Sequence, residues 1–122
     1  MKKLILLLFI PLVSFGQTNV KVLEKMVEAA NIYEGTESSG VLGLKAINEN
    51  NSALVYQYKI SDDEVANNFK NGSINYKKIV IDQSPNKLSK VAVKANIIIK
   101  WRYFYKNKII KEVIVYPNEW ND

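Results

Sequence analysis

Neither histidine nor cysteine occurs anywhere in this 122-residue sequence, and that removes most of the ways a small protein does chemistry. Without histidine there is no side chain that titrates near neutral pH unaided, and no imidazole to hold a metal. Without cysteine there is no thiolate nucleophile, no zinc–thiolate site and no disulfide. Serine–histidine and cysteine–histidine nucleophilic systems fall together. Carboxylates remain. Asp62, Asp63 and Glu64 are the densest acidic cluster. Acids in a first helical turn are what the helix dipole favours, and the cluster lacks the glycine and spacing of a calcium loop. Paired carboxylates are the machinery of glycoside hydrolysis, and Glu24, Glu28, Glu34, Glu37, Glu49 and Glu112 are formally available. Nothing marks two of them as a pair. Glu24 and Glu28 lie one turn apart beside Lys21 and Lys25, as on an exposed helix face. Gly40-Val41-Leu42-Gly43 falls far short of a phosphate loop. The sequence therefore predicts no catalytic residue, no metal ligand and no cofactor, and any activity should be indifferent to added zinc and to thiol reagents.

The aromatic residues are the remaining candidates for a site. Tyr56, Tyr58, Trp101, Tyr103 and Tyr105 recur at period-2 spacing within apolar runs, so each set faces one side of a strand. If the two runs adjoin, the five rings form a band across one sheet face. Tyrosine and tryptophan pair an apolar body with a polar tip and are favoured at interfaces. Such a band could dock a protein or stack on sugar rings. The competing expectation is core beneath helices, with the hydroxyls at the rim, and for Trp101 the core is the expectation adopted.

The elements that must position these rings are legible in the periodicity. Val22, Met26, Ala29 and Tyr33 predict a helix over about Asn19–Tyr33, capped by Thr18 or Asn19. Gly35–Gly40 reads as a loop. Val41–Asn48 and Ala53–Ile60 read as a hairpin around Glu49-Asn50-Asn51-Ser52, with Leu54, Tyr56, Tyr58 and Ile60 on one side. Ser61-Asp62-Asp63-Glu64 is a capping box, Ser61 the cap and Glu64 reaching back. The helix it opens carries Val65, Phe69, Tyr76, Ile79 and Val80, with Asn71-Gly72 as a break. Ser84-Pro85 starts another helix, serine capping and proline at the first helical position. Ile97–Lys106 and Ile109–Tyr116 are the strongest strands. A three-residue Lys106-Asn107-Lys108 loop sets Arg102 opposite Glu112 and Trp101 opposite Val113. That places Ile99, Trp101, Tyr103, Tyr105, Val113 and Val115 on one face and Lys100, Arg102, Lys106 and Glu112 on the other. Register follows the face that must be buried.

The ends and the charge bound where the chain works. Lys2 and Lys3 precede the apolar run Leu4–Val13, and Ser14-Phe15-Gly16 offers small residues for cleavage before Gln17, the pattern of a secretory leader. The run is about half of what a membrane span needs. The formal net charge is +5. Residues 17–64 hold 4 basic and 8 acidic residues, and residues 65–122 hold 11 basic and 4 acidic. The lysines spread over several elements rather than one run, so no nucleic-acid partner is expected.

Leu54-Val-Tyr-Gln-Tyr-Lys-Ile60, Ser84-Pro85-Asn86, and Trp101-Arg-Tyr-Phe-Tyr105 followed by Ile110-Lys-Glu-Val-Ile-Val115 resemble a group of small exported bacterial proteins of unknown function with paired Tyr-x-Tyr strands. The resemblance covers roughly Leu54–Trp120. Members often carry a cysteine near the helix and another near the C-terminus. Here Gln83 or Ser84 and Trp120 occupy those regions, so no such cross-link is present. The resemblance implies a fold and an exported location and no activity. Residues 1–16 are then a signal peptide and residues 17–122 one α+β domain. The fold expected is a two-layer sandwich, an antiparallel sheet of about four strands in the order α-β-β-α-β-β with helices on one face. The expected function is that of a non-catalytic exported protein, periplasmic or extracellular and not membrane-spanning after cleavage, binding a protein or glycan partner. The alternatives are a carrier of a small apolar or glycan ligand, which an interior pocket would favour, and a carboxylate-dependent hydrolase.

Overall fold

The structure is a computed structural model that describes residues 17–120; the leader read over Met1–Gly16 lies outside the described residues. Helix α1 spans Val20–Ala30 and tightens into a 3-10 turn at Asn31–Tyr33. Asn19, not Thr18, caps it, its Oδ1 accepting from the Val22 amide at 3.2 Å. Thr18 instead donates its hydroxyl to the Asn96 carbonyl at 2.7 Å. That bond and one from the Asn19 amide to the Ala95 carbonyl (2.9 Å) tie the start of α1 to the end of a later helix.

Three short strands follow: β1 Glu37–Ser38, β2 Val41–Gly43 and β3 Ile47–Glu49. The first lies within the segment read as loop. The strand read over Val41–Asn48 is broken at Leu44–Ala46, where the Ala46 amide donates to Asn31 Oδ1 at 2.9 Å rather than to a neighbouring strand. Both halves pair antiparallel with β4, Ala53–Ile60, as the predicted hairpin requires.

Helices α2 (Asp63–Asn71), α3 (Tyr76–Gln83) and α4 (Asn86–Ala95) then cross the sheet to β5, Ile98–Tyr105, and β6, Lys108–Val115. Two expected caps differ. Asp62 caps α2, accepting from the Glu64 and Val65 amides at 2.8 and 3.2 Å, because Ser61 lies within reach of the Gly40 carbonyl at the end of the hairpin. The Ser84 hydroxyl donates back to the Val80 carbonyl and so closes α3, while α4 starts after Pro85 with no side-chain cap.

The sheet corrects the antiparallel expectation. Among the described residues it has six strands and is mixed. Its path is β1-β2-β4-β5-β6, with β3 also pairing to β4, and β4 and β5 run parallel. The physical reason is the three-helix connection. A crossover that climbs over the sheet carries the chain from the end of β4 back to the end where β4 began, so that Ile98 starts beside Ala53 and the strand laid there is parallel. The α+β class, with helices on one face, stands. Leu23 and Ala30 of α1 and Ala92 and Ala95 of α4 form one buried cluster with Leu54, Ile99, Trp101, Val113, Val115 and Trp120.

The register of the last hairpin is the expected one, Trp101 opposite Val113 and Arg102 opposite Glu112. The device that sets it is different. Lys106 and Asn107 make a two-residue turn at φ 49° and 65°, with Tyr105 opposite Lys108. Positive φ at both central residues is the turn geometry that matches strand twist. A bulge then inserts Ile110, since Phe104 pairs with Ile109 but Tyr103 with Lys111. One extra residue moves the pairing by one and restores the buried face.

Candidate functional site

Parallel pairing of β4 with β5 brings the two aromatic runs side by side. Tyr56 lies beside Trp101 and Tyr58 beside Tyr103. The rings stack at centroid separations of 5.6 and 5.0 Å, each pair 17° from parallel. The five rings singled out from sequence therefore do share one sheet face, the helix-bearing one. They do not share one environment.

At the outer end, Tyr105 stands half exposed. Its hydroxyl donates to Asp63, which pushes the phenol upward, and the Lys70 and Lys106 ammonium groups lie 5.2 Å from the ring centre. In the middle, Tyr103 is half-buried under two helices. Phe69 of α2 packs on it at 4.6 Å and on Tyr76 of α3 at 4.9 Å. At the inner end, Trp101 is 8% exposed, with Trp120 edge-on at 6.4 Å. Burial pushes Tyr56, Tyr58 and Tyr103 each up to about 12, so their hydroxyls remain donors across the physiological range.

Above the inner end the helices part. Two adjoining hollows, of about 250 and 360 Å³, share Tyr33, Tyr56, Pro85 and Leu88. The first is floored by Tyr58 and Trp101 and edged by Val80, Gln83 and Ser84 where α3 gives way to α4. The second runs between α1 and α4 over Leu54, with Met26, Ala29 and Ile32 on one wall and Val91 on the other. Among the described residues no hydrogen bond engages the hydroxyls of Tyr33, Tyr56 or Tyr58. Lys87 is the sole charged side chain of either lining, and no carboxylate belongs to them.

Tyr33 and Ile32, 50% and 71% exposed, are the rim residues that sequence reasoning missed. The helical stripe made Tyr33 look like core. The stripe stops being helical one turn early because the chain turns to meet β2. The Gly35 amide donates to the Gly43 carbonyl at 2.8 Å and the Gly43 amide to Thr36 at 2.7 Å. Gly43 permits this approach, as a Cβ there would stand 2.0 Å from the Tyr33 carbonyl oxygen. A glycine in a strand marks such a close passage, and that was the available signal. Ser84-Pro85 predicts a helix start, and nothing in its spacing shows that the helix borders a cleft.

The carboxylates lie elsewhere. Glu49 and Glu112 are on the opposite sheet face and share Arg102, with Lys100 donating to Glu49 at 2.6 Å and Arg102 at 2.8 Å. The lysine and arginine hydrogen bonds hold Glu49 below the usual range. A carboxylate held ionised in this way is no general acid. Among the described residues no cluster of three or more acidic side chains could hold a metal ion.

With the geometry in place, the chain can be set beside known proteins. No protein-family model matches the sequence and no curated protein matches it. A solved structure from Pseudomonas aeruginosa, described as a "putative secreted protein", has the same fold at a TM-score of 0.71, over 82% of this chain and 90% of that one, with 11% identity. At that identity the likeness establishes the architecture alone. Among the described residues no helix is long and apolar enough to cross a membrane.

Proposed function

We propose that this protein is exported from a bacterial cell and serves there as a non-catalytic carrier, its cleft over Tyr56 taking a small molecule with an apolar body. The observation that carries this reading is the pair of confluent hollows between α1 and the α3–α4 junction. Small-molecule sites are concave, mostly apolar and a few hundred Å³ in volume, with a few placed polar groups. Docking of a macromolecule on a flat aromatic band is less favoured, because Phe69 and Tyr76 cover Tyr103 and helices flank Tyr56 and Trp101. Export is supported by the leader pattern of residues 1–16 and by the name given to the Pseudomonas protein. A non-catalytic role is supported by the lack of histidine and cysteine in the whole sequence and by the engagement of Glu49 and Glu112 with Arg102.

A neutral naphthylamine dye tests the cleft. It should bind saturably, one molecule per chain, with a rise in fluorescence. Ala29→Trp, at an exposed helical position that lines the larger hollow, should abolish that binding and leave the fold intact by circular dichroism. Absence of saturable binding, or binding unchanged by the variant, overturns the carrier reading. Mass spectrometry of the exported protein should show loss of Met1–Gly16; a full-length chain held in the inner membrane overturns the export reading.

A further inference from the structure

The two hollows differ in chemistry, and the difference defines a ligand. The larger is walled by aliphatic groups, Met26, Ala29, Leu54, Leu88 and Val91. The smaller sets the phenol of Tyr58 and the amide of Gln83 around its floor and edge, with Tyr33 and Tyr56 at the shared boundary. A molecule lying across both would have its apolar body in the first and a polar head in the second. The sign of that head follows from what is and is not in the lining. Lys87, which lines the larger hollow next to the shared residues Pro85 and Leu88, is the only formal charge of either lining. The acids borne by the walls, Glu24 and Glu28 on α1, Glu34 just beyond it and Asp82 on α3, are exposed and lie outside both linings. Phenol hydroxyls donate to an anion in charge-assisted bonds that are shorter and stronger than neutral ones. The positive end of α4 falls at Pro85, on the same boundary. A cation placed there would meet one lysine and no counter-charge, in a cleft whose apolar walls weaken screening.

We propose that the cleft takes an amphipathic acid, an aliphatic or aromatic body carrying one carboxylate-like head, with the body between α1 and α4 and the head held by the Tyr33, Tyr56 and Tyr58 hydroxyls, Lys87 standing in the adjoining lining. This rests on the carrier reading and adds the charge and the orientation of the ligand.

Decanoate, decanol and decylamine share one tail and differ in the sign of the head, and all three are used below their micellar concentrations. Each is titrated against the purified protein carrying the naphthylamine dye, at neutral pH. Decanoate should displace the dye at about a tenfold lower concentration than decanol, the equivalent of roughly 1.4 kcal/mol, and decylamine should be the weakest. Tyr56→Phe together with Lys87→Gln should remove most of the gap between decanoate and decanol while leaving decanol unchanged. Equal displacement by all three, or decylamine the tightest, overturns the acid assignment and leaves the carrier reading standing. Dye that never binds in the first place removes both. A preference for decanoate that survives the Tyr56→Phe/Lys87→Gln pair overturns the placement of the head.

Discussion

On the helix-bearing face of the sheet Leu54, Ile99 and Val115 are fully buried beneath α1 and α4; on the other face Ala53 and Val55 are as thoroughly buried and lie outside that cluster. What covers Ala53 and Val55 is charge. Glu49 stands on β3 and Lys100 and Arg102 on β5, on either side of β4. Their ion pairs must pass over β4 to meet, and the aliphatic stems of the long side chains lie down on the apolar residues below. Arg102 then turns its other edge to Glu112 on β6. Two positive and two negative groups thus tie β3, β5 and β6 together across one face. The comparison shows that one sheet can be closed by two means. Helices and aromatic rings leave room for a cleft, and a lattice of paired charges does not.

The two faces should fail at opposite ends of the pH scale, and the alkaline end carries the largest effect. Burial raises Tyr56, Tyr58 and Tyr103 from about 10 to about 12. A group whose folded value is raised gives stability that is whole below its unfolded value and lost as pH climbs through the folded one. Each unit is worth about 1.4 kcal/mol, and three rings draw on it together. The protein should therefore unfold cooperatively between pH 10 and 12, with the phenolate absorbance of these three rings, out of seven tyrosines, appearing only as ellipticity is lost. Phenolate absorbance equivalent to all seven tyrosines before ellipticity is lost would show these three rings to be accessible and the helix face loosely closed.

Trp101→Ala comes next. The residue sits between Tyr56, Val113 and Trp120 and is 8% exposed. Truncating it leaves a void under the cleft floor, at a cost of about 3–5 kcal/mol. That is a large share of the roughly 5–15 kcal/mol a domain has. Denaturant midpoints should fall accordingly, with Trp120 as the remaining fluorophore. A midpoint within error of the parent would mean that the helices do not seal this end.

Arg102→Met probes the open face. Its side chain is 12% exposed and its two glutamates 26%, so the loss should lie between the exposed-pair and buried-pair limits, about 1–3 kcal/mol. Replacing Glu49 and Glu112 by leucine in the same chain should recover much of it, since apolar residues of similar size often match a buried ion pair. This face also contributes to the acid limb. Glu49, held low first by Lys100 and then by Arg102, contributes stability above the ordinary carboxylate value near 4.5 that is lost as pH falls below it. Arg102→Met should weaken that limb, leaving the larger share that Lys100 holds, and leave the alkaline one alone.

How far the sequence anticipates this depends on the range of the interaction. Tyr-x-Tyr alternation, the Arg102–Glu112 pairing and the hairpins are local, and they are where the chain shows them. The Asp62 cap differs from the expected Ser61 because Ser61 is drawn to Gly40, 21 residues away. The parallel β4–β5 joint depends on where a three-helix connection lands, and no period in β4 or β5 encodes that. The bulge at Ile110 is intermediate. The need to bury Trp101 with Val113 gives the right register, while the twist of a Lys-Asn turn dictates how the extra residue is absorbed. The cleft is least legible of all, because Tyr33, Pro85 and Leu88 meet only after the helices have packed, and each had an adequate explanation as part of a helix.

Tyr105→Phe tests the edge of the comparison, where the aromatic band leaves the helix face and reaches solvent. Its hydroxyl donates to Asp63 in the first turn of α2, and two lysines lie over its ring. These are charged and polar contacts, as on the open face, made by a residue of the aromatic set. If contact chemistry decided the cost, removing the hydroxyl would resemble breaking part of the Arg102 lattice. If burial decides it, the exposed bond exchanges for water at almost no cost, while the cation–π contacts persist with phenylalanine. Burial should decide. The melting temperature of Tyr105→Phe should match the parent within error, and the alkaline unfolding midpoint should not move, because Tyr56, Tyr58 and Tyr103 carry it. A drop approaching that of Arg102→Met would place Tyr105 and Asp63 inside the cooperative structure, and the sealed part of the helix face would then extend to the end of the sheet.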